Sequence, residues 1–103
     1  MVIRKDEMQQ EFRQGLRGGD GEVTFLHLME SGSVPHARLF AELTLDPGSS
    51  IGEHEHTGET EYYWILSGSG IVTEADGEKP VSAGDLVVTG GGASHAIRNT
   101  GEV

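Results

Sequence analysis

The 103-residue sequence has no cysteine, which excludes a disulfide framework, thiolate catalysis and a cysteine-ligated zinc finger. Positive charge is scarce: 7 Lys and Arg stand against 17 Asp and Glu, a formal net charge of −10. Binding to nucleic acid or an anionic membrane rests on Lys and Arg neutralising phosphates, so neither is expected as a partner. No apolar run approaches the ~20 residues of a membrane span, and the opening residues Met1 to Lys5 start no signal-peptide core. A cytoplasmic location is expected. Leu, Ile, Val and Phe are also sparse, about 23% of the chain, and only the 16 glycines bring the composition to a normal globular balance. A core this lean gains from apolar surface buried against a second subunit.

The length allows one domain. Residues 1–21 read as an N-terminal arm and Gly-rich loop, and residues 22–103 as a β-barrel. Within the arm, residues 4–14 are polar with Met8 and Phe12 four apart, which fits a short helix or a frayed segment. The run Gly15-Leu16-Arg17-Gly18-Gly19-Asp20-Gly21 breaks regular structure and reads as a flexible loop. From Glu22 onward strand follows strand. Val23 to Met29, Ala37 to Leu45 and Glu61 to Leu66 are rich in β-branched and aromatic residues or alternate in period two. Shorter runs follow at Ile71 to Glu74, Lys79 to Ser82, Leu86 to Thr89 and Ser94 to Asn99. Asp46-Pro47-Gly48, Asp76-Gly77, Gly84-Asp85 and Gly90-Gly91-Gly92 supply the turns. Short strands with turns every 8–12 residues point to an all-β sandwich or barrel. At the end, Asn99 to Glu102 reads as a turn into a further strand, yet the sequence stops at Val103, so the barrel closes without that strand or keeps an open edge.

His54 and His56 are two apart, so a strand places both imidazoles on one face with Cα atoms about 6.5 Å apart. Glu53 and Glu55 then point outward. Glu61 joins the pair if the chain doubles back through Thr57-Gly58-Glu59-Thr60, and His95 heads a later strand that packs opposite. Three imidazoles and one carboxylate suit a borderline first-row divalent metal. With four protein donors an octahedral ion keeps two positions open, which favour water or a small anionic oxygen donor.

These residues resemble the cupins. The first cupin motif is Gly, five residues, His-X-His, three or four residues, Glu, six residues, Gly, and Gly48, His54, His56, Glu61 and Gly68 fall on it. The second is Gly, five residues, Pro, one residue, Gly, two residues, His, three residues, Asn. Here Gly84, Gly92, His95 and Asn99 match, with Gly90 in the proline position. The resemblance implies an all-β, single-domain cupin fold, a double-stranded β-helix or jelly-roll barrel, with a metal held inside by His54, His56, Glu61 and His95. The three consecutive glycines suggest a mobile approach to His95. The segment from Pro47 to His54 and the Gly-Gly-Gly-X-X-His loop are similar to small cupins described as oxalate-decarboxylase-related.

That resemblance implies a metal-binding protein that acts on or binds a small anionic carboxylate, oxalate-like, as a decarboxylase or dioxygenase if it is an enzyme. The alternatives are a non-catalytic metal-dependent binding module and a sugar-phosphate isomerase-like cupin, since one fold hosts many chemistries. The metal is Mn, Fe, Ni or Zn, with Mn favoured by family resemblance alone. Turnover needs a proton-handling group, and Glu59, in the turn between ligands, and Tyr63 are the candidates. Strand parity puts Glu61, Tyr63 and Ile65 inside with Ile97 and Asn99, and Tyr62, Trp64 and Leu66 outside. That outward apolar stripe predicts a homodimer. Arg38 reads as a strand residue facing outward, and Leu39, Phe40 and Ile51 as core or pocket wall.

Overall fold

The computed structural model describes residues 1–101, so the expected turn through Glu102 to Val103 lies outside the described residues. Nine strands form among the described residues: β1 (Gln9–Gln14), β2 (Glu22–His27), β3 (Ala41–Leu45), β4 (Ser50–Glu55), β5 (Thr60–Trp64), β6 (Ser69–Glu74), β7 (Gly77–Ser82), β8 (Leu86–Gly90) and β9 (Ser94–Asn99). Every pairing is antiparallel. The strands form one sheet ordered β1-β2-β3, a second ordered β4-β9-β6-β7, and a two-stranded ribbon of β5 and β8. Val23 and Phe25 of β2 bury against Ile51 of β4, with Leu16, Leu39, Leu43, Leu45 and Ile97 packed around them. This cluster joins the first sheet to the second.

Three expectations about local structure are corrected. Residues 9–14, read as part of a helix or frayed arm, form a strand that pairs with β2 along its whole length. The segment carries no alternating apolar pattern because main-chain hydrogen bonding holds it, and Phe12 stays exposed. The strand expected over Ala37 to Leu45 forms only from Ala41. Before it the chain is irregular, with His36 at φ +63°, so Arg38 is a loop residue and Phe40 is exposed. Leu39 and Ile51 do belong to the core.

The Gly15 to Gly21 segment is no free loop. It closes a 3-10 turn at Leu16–Gly18 and lays its backbone on β4. Ser50 N donates to Asp20 O (2.7 Å), Asp20 N donates to Ser50 Oγ (2.8 Å), and Glu22 N donates to Ser49 Oγ (3.1 Å). Arg98 reaches across from β9 to Asp20 at 2.7 Å. The approach is so close that a Cβ on Gly52 would collide with the Arg17 carbonyl oxygen.

Gly52 also marks a β-bulge. Ile51 pairs with Ile97 and His54 with His95, so β4 uses three steps where β9 uses two. Ile51 and His54 are an odd number apart and a regular strand would put them on opposite faces. The extra residue lets Ile51 enter the core while His54 still turns inward.

Candidate metal centre

β4 carries His54 and ends just before His56, whose backbone N donates to Ala93 O (3.1 Å) and whose carbonyl accepts from Gly92 N (2.8 Å). His95 is the direct cross-strand neighbour of His54 on β9. The strand expected to pack opposite the histidine pair is thus the neighbour of β4 in the second sheet. Glu61 arrives from the β5–β8 ribbon: after Glu55 the chain turns through Gly58, at φ +73°, and crosses from the second sheet into the ribbon.

Four donor atoms converge. His95 Nε2 lies 3.0 Å from His54 Nε2 and 3.1 Å from His56 Nε2. Glu61 Oε1 lies 2.9 Å from His95 Nε2, 3.0 Å from His56 Nε2 and 3.9 Å from His54 Nε2. The whole set falls within 4.8 Å. Neighbouring donors around a six-coordinate ion with bonds near 2.1 Å stand about 3.0 Å apart, so this spacing suits an ion at the common centre.

The opposite edges of the rings fix which nitrogen faces inward. His54 Nδ1 sits 2.8 Å from the Gly52 carbonyl, which can only accept, so Nδ1 carries the proton and Nε2 presents a lone pair. His95 Nδ1 sits 2.8 Å from Thr89 Oγ1 on β8. His56 Nδ1 faces the Glu59 carboxylate at 3.5 Å. With all three Nδ1 atoms turned outward, three Nε2 atoms, that of His54 presenting a lone pair, meet a carboxylate oxygen that is itself buried without a hydrogen-bond partner. Such a gathering of acceptors is unfavourable by itself and is what a cation relieves. His54, His56, Glu61 and His95 could hold a divalent metal ion.

The surroundings stiffen the cluster. Tyr63 stacks on His95, ring centroids 5.0 Å apart and planes 10° from parallel, and His95 is only 1% exposed. Burial raises the Tyr63 hydroxyl far above its usual range, the adjacent Glu61 carboxylate adding to this, so Tyr63 stays a hydrogen-bond donor. Burial likewise lowers His54 below the ordinary imidazole value, although its bond to Gly52 works the other way. Glu59 is clamped by Arg38, whose Nη2 and Nε donate to its two carboxylate oxygens at 2.7 and 3.0 Å, and its pKa falls to about 2.

The three-glycine loop is more constrained than it reads. Gly90 pairs with Thr60 at the end of the ribbon, and a Cβ there would collide with the Thr60 side chain. Glycine at the motif's proline position is thus a close-packing requirement. Sequence reasoning missed Thr89, Gly52 and the Arg38 contact. Gly52 was open to detection, because a glycine inside a strand signals a bulge or a close backbone approach. Thr89 and Arg38 owe their places to tertiary pairing alone.

A β-barrel with three imidazoles and one carboxylate facing a common centre defines the class, and the chain belongs to it: the Cupin domain family (Cupin_2) matches residues 41–103. The chain is 45% identical over 102 residues to the oxalate-binding protein of Thermotoga maritima, covering 98% of this chain and 84% of that protein. It also matches the crystal structure of a predicted oxalate decarboxylase from Thermotoga maritima, with a TM-score of 0.93 and 44% identity over 100% of this chain and 90% of that one. A cupin-superfamily sugar phosphate isomerase from Silicibacter pomeroyi shares the fold at a TM-score of 0.72 and 16% identity, covering 100% of this chain and 69% of that one.

Proposed function

We propose that the protein binds a small anionic carboxylate, oxalate or a close analogue, at a divalent metal held by His54, His56, Glu61 and His95. The observation that carries this reading is the convergence of three imidazole Nε2 atoms, each with its Nδ1 turned outward, on the unpartnered Glu61 oxygen. The similarity to an oxalate-binding protein supplies the ligand class. Charge supports it too. A chain of net charge −10 repels anions, so a site for one needs a strong local cation. A divalent ion beside one carboxylate leaves about +1, and when bound it supplies Lewis acidity and open positions for carboxylate oxygens. The protein's part is to fix the three Nε2 atoms inward, hold Glu61 against them and wall the site with Tyr63.

Calorimetry with oxalate is the test. Metal-loaded protein should bind oxalate, and chelator-treated protein should not; binding that survives metal removal would overturn the reading. Turnover is the alternative, with Glu59 or Tyr63 moving the proton. The clamped Glu59 enters as a base and Tyr63 as a donor. Consumption of oxalate or another small carboxylate by metal-loaded protein, lost in Glu59→Gln with the metal still bound, would establish it.

The same reading includes a homodimer. Tyr62, Trp64 and Leu66 project outward beside Leu86 and Val88, each more than half exposed, and no charged side chain comes from this face of the ribbon. Together they offer on the order of 600 Å² per copy, so a pair would bury about 1,200 Å², the lower bound for stable interfaces. Two acidic molecules repel least across an uncharged face, which makes a second copy the fitting partner.

A further inference from the structure

Of the three imidazoles, His56 alone has its outer nitrogen facing a loop side chain. His54 is held by the Gly52 carbonyl within its own strand, and His95 by the buried Thr89 hydroxyl on β8. The group facing His56 Nδ1 is the Glu59 carboxylate at 3.5 Å, in the turn after β4, where Gly58 sits at φ +73° with open space where a side chain would be. A carboxylate on such a turn keeps its position only if something outside the turn anchors it. Arg38 does so with both arms of its fork, donating to Oε1 at 2.7 Å and to Oε2 at 3.0 Å. Arg38 is fastened in its turn: its carbonyl accepts from Ser31 Oγ at 3.0 Å and from Gly32 N at 3.2 Å. The chain Arg38–Glu59–His56 thus ties the irregular segment before β3 to the outer edge of a candidate ligand.

We propose that Arg38 and Glu59 are positioning residues for the metal centre, Arg38 anchoring Glu59 and Glu59 keeping the His56 proton on Nδ1 so that Nε2 faces the metal. The proposal rests on the metal-site reading above. Carboxylate partners of ligating histidines fix the tautomer and raise ligand basicity, and their loss costs about 10- to 100-fold in metal affinity. A bidentate guanidinium fork adds geometry that a lysine point charge does not supply.

The test has two readouts. In metal-free protein, ¹⁵N chemical shifts of the imidazoles report the tautomer. His56 should be protonated at Nδ1 in the wild type and shift toward a mixture in Glu59→Ala and Arg38→Ala, while His54 and His95 stay unchanged. In Mn²⁺ titrations, Arg38→Ala should weaken binding about tenfold. Arg38→Lys should recover only part of that loss, and Arg38→Ala/Glu59→Ala should bind no more weakly than Glu59→Ala alone. An unchanged His56 tautomer in both variants, or losses that add, would overturn the proposal. Absence of Mn²⁺ binding by the wild type would instead overturn the metal-site reading, and the tautomer measurement would still decide the roles of Arg38 and Glu59.

Discussion

Glu61 is where stability and function pull apart. Its buried Oε1 has no hydrogen-bond partner and lies 2.9 to 3.9 Å from three imidazole nitrogens. Glu61→Gln replaces a charged acceptor with a group that can donate to Nε2, relieving an unsatisfied buried atom worth about 1–3 kcal/mol. The metal-free variant should therefore melt at a higher temperature than metal-free wild type while binding Mn²⁺ far more weakly. A lower melting temperature would show that the cluster is not under acceptor crowding. The pH dependence follows from His54. Burial holds its folded pKa below the unfolded value near 6.5, so the unfolded chain takes up more protons as the medium acidifies. The urea midpoint of chelator-treated protein should be lower at pH 5.5 than at pH 7.5, and metal affinity should fall over the same window because protons compete for the ligands. An unchanged midpoint would contradict a buried neutral imidazole. At this scale the sequence was informative. The four site residues sit on fixed motif spacings, whereas Thr89 and Arg38 are ordinary residues made important by what folding places beside them.

Among the elements, β4 has the most demanding geometry. Gly52 serves the core, the loop and the site at once: its bulge lets Ile51 and His54 both face inward, its missing Cβ admits the Arg17 carbonyl, and its own carbonyl sets the His54 tautomer. Gly52→Ala should cost about 1–3 kcal/mol by overpacking against backbone that cannot move aside. It should also lower metal affinity by disturbing His54. Denaturant unfolding and Mn²⁺ titration of the variant check both, and wild-type stability would show that the loop yields. Most strands were legible because each alternates or is rich in β-branched residues. β1 was not, since Gln9 to Gln14 holds its place through main-chain pairing and shows no apolar periodicity. The segment before β3 misled in the opposite direction: Arg38 continues the alternation of the following strand, but the positive φ at His36 and the turns around it keep residues 37–40 out of the ladder.

At the scale of the molecule, a lean core and an exposed apolar ribbon face are two sides of one composition. The ribbon turns Glu61 and Tyr63 toward the candidate metal and Tyr62 and Trp64 toward solvent, so the strand that completes the site also carries the apolar face proposed above for a second copy. Light scattering after size-exclusion chromatography at micromolar concentration should give a dimer, and Trp64→Glu should give a monomer. A monomeric wild type would contradict the assignment of that face. The barrel class was readable from turn spacing and motif together. The arrangement of three sheets was not, because strand order depends on long-range pairing that single-strand patterns do not encode. The central claim is that the three histidines and Glu61 hold one cation, and metal stoichiometry tests it most directly. Chelator-treated protein dialysed against Mn²⁺ and assayed by elemental analysis should carry one ion per chain in the wild type and none in His54→Ala/His95→Ala. Wild-type protein without metal, or a double variant that still carries a full equivalent, would contradict it.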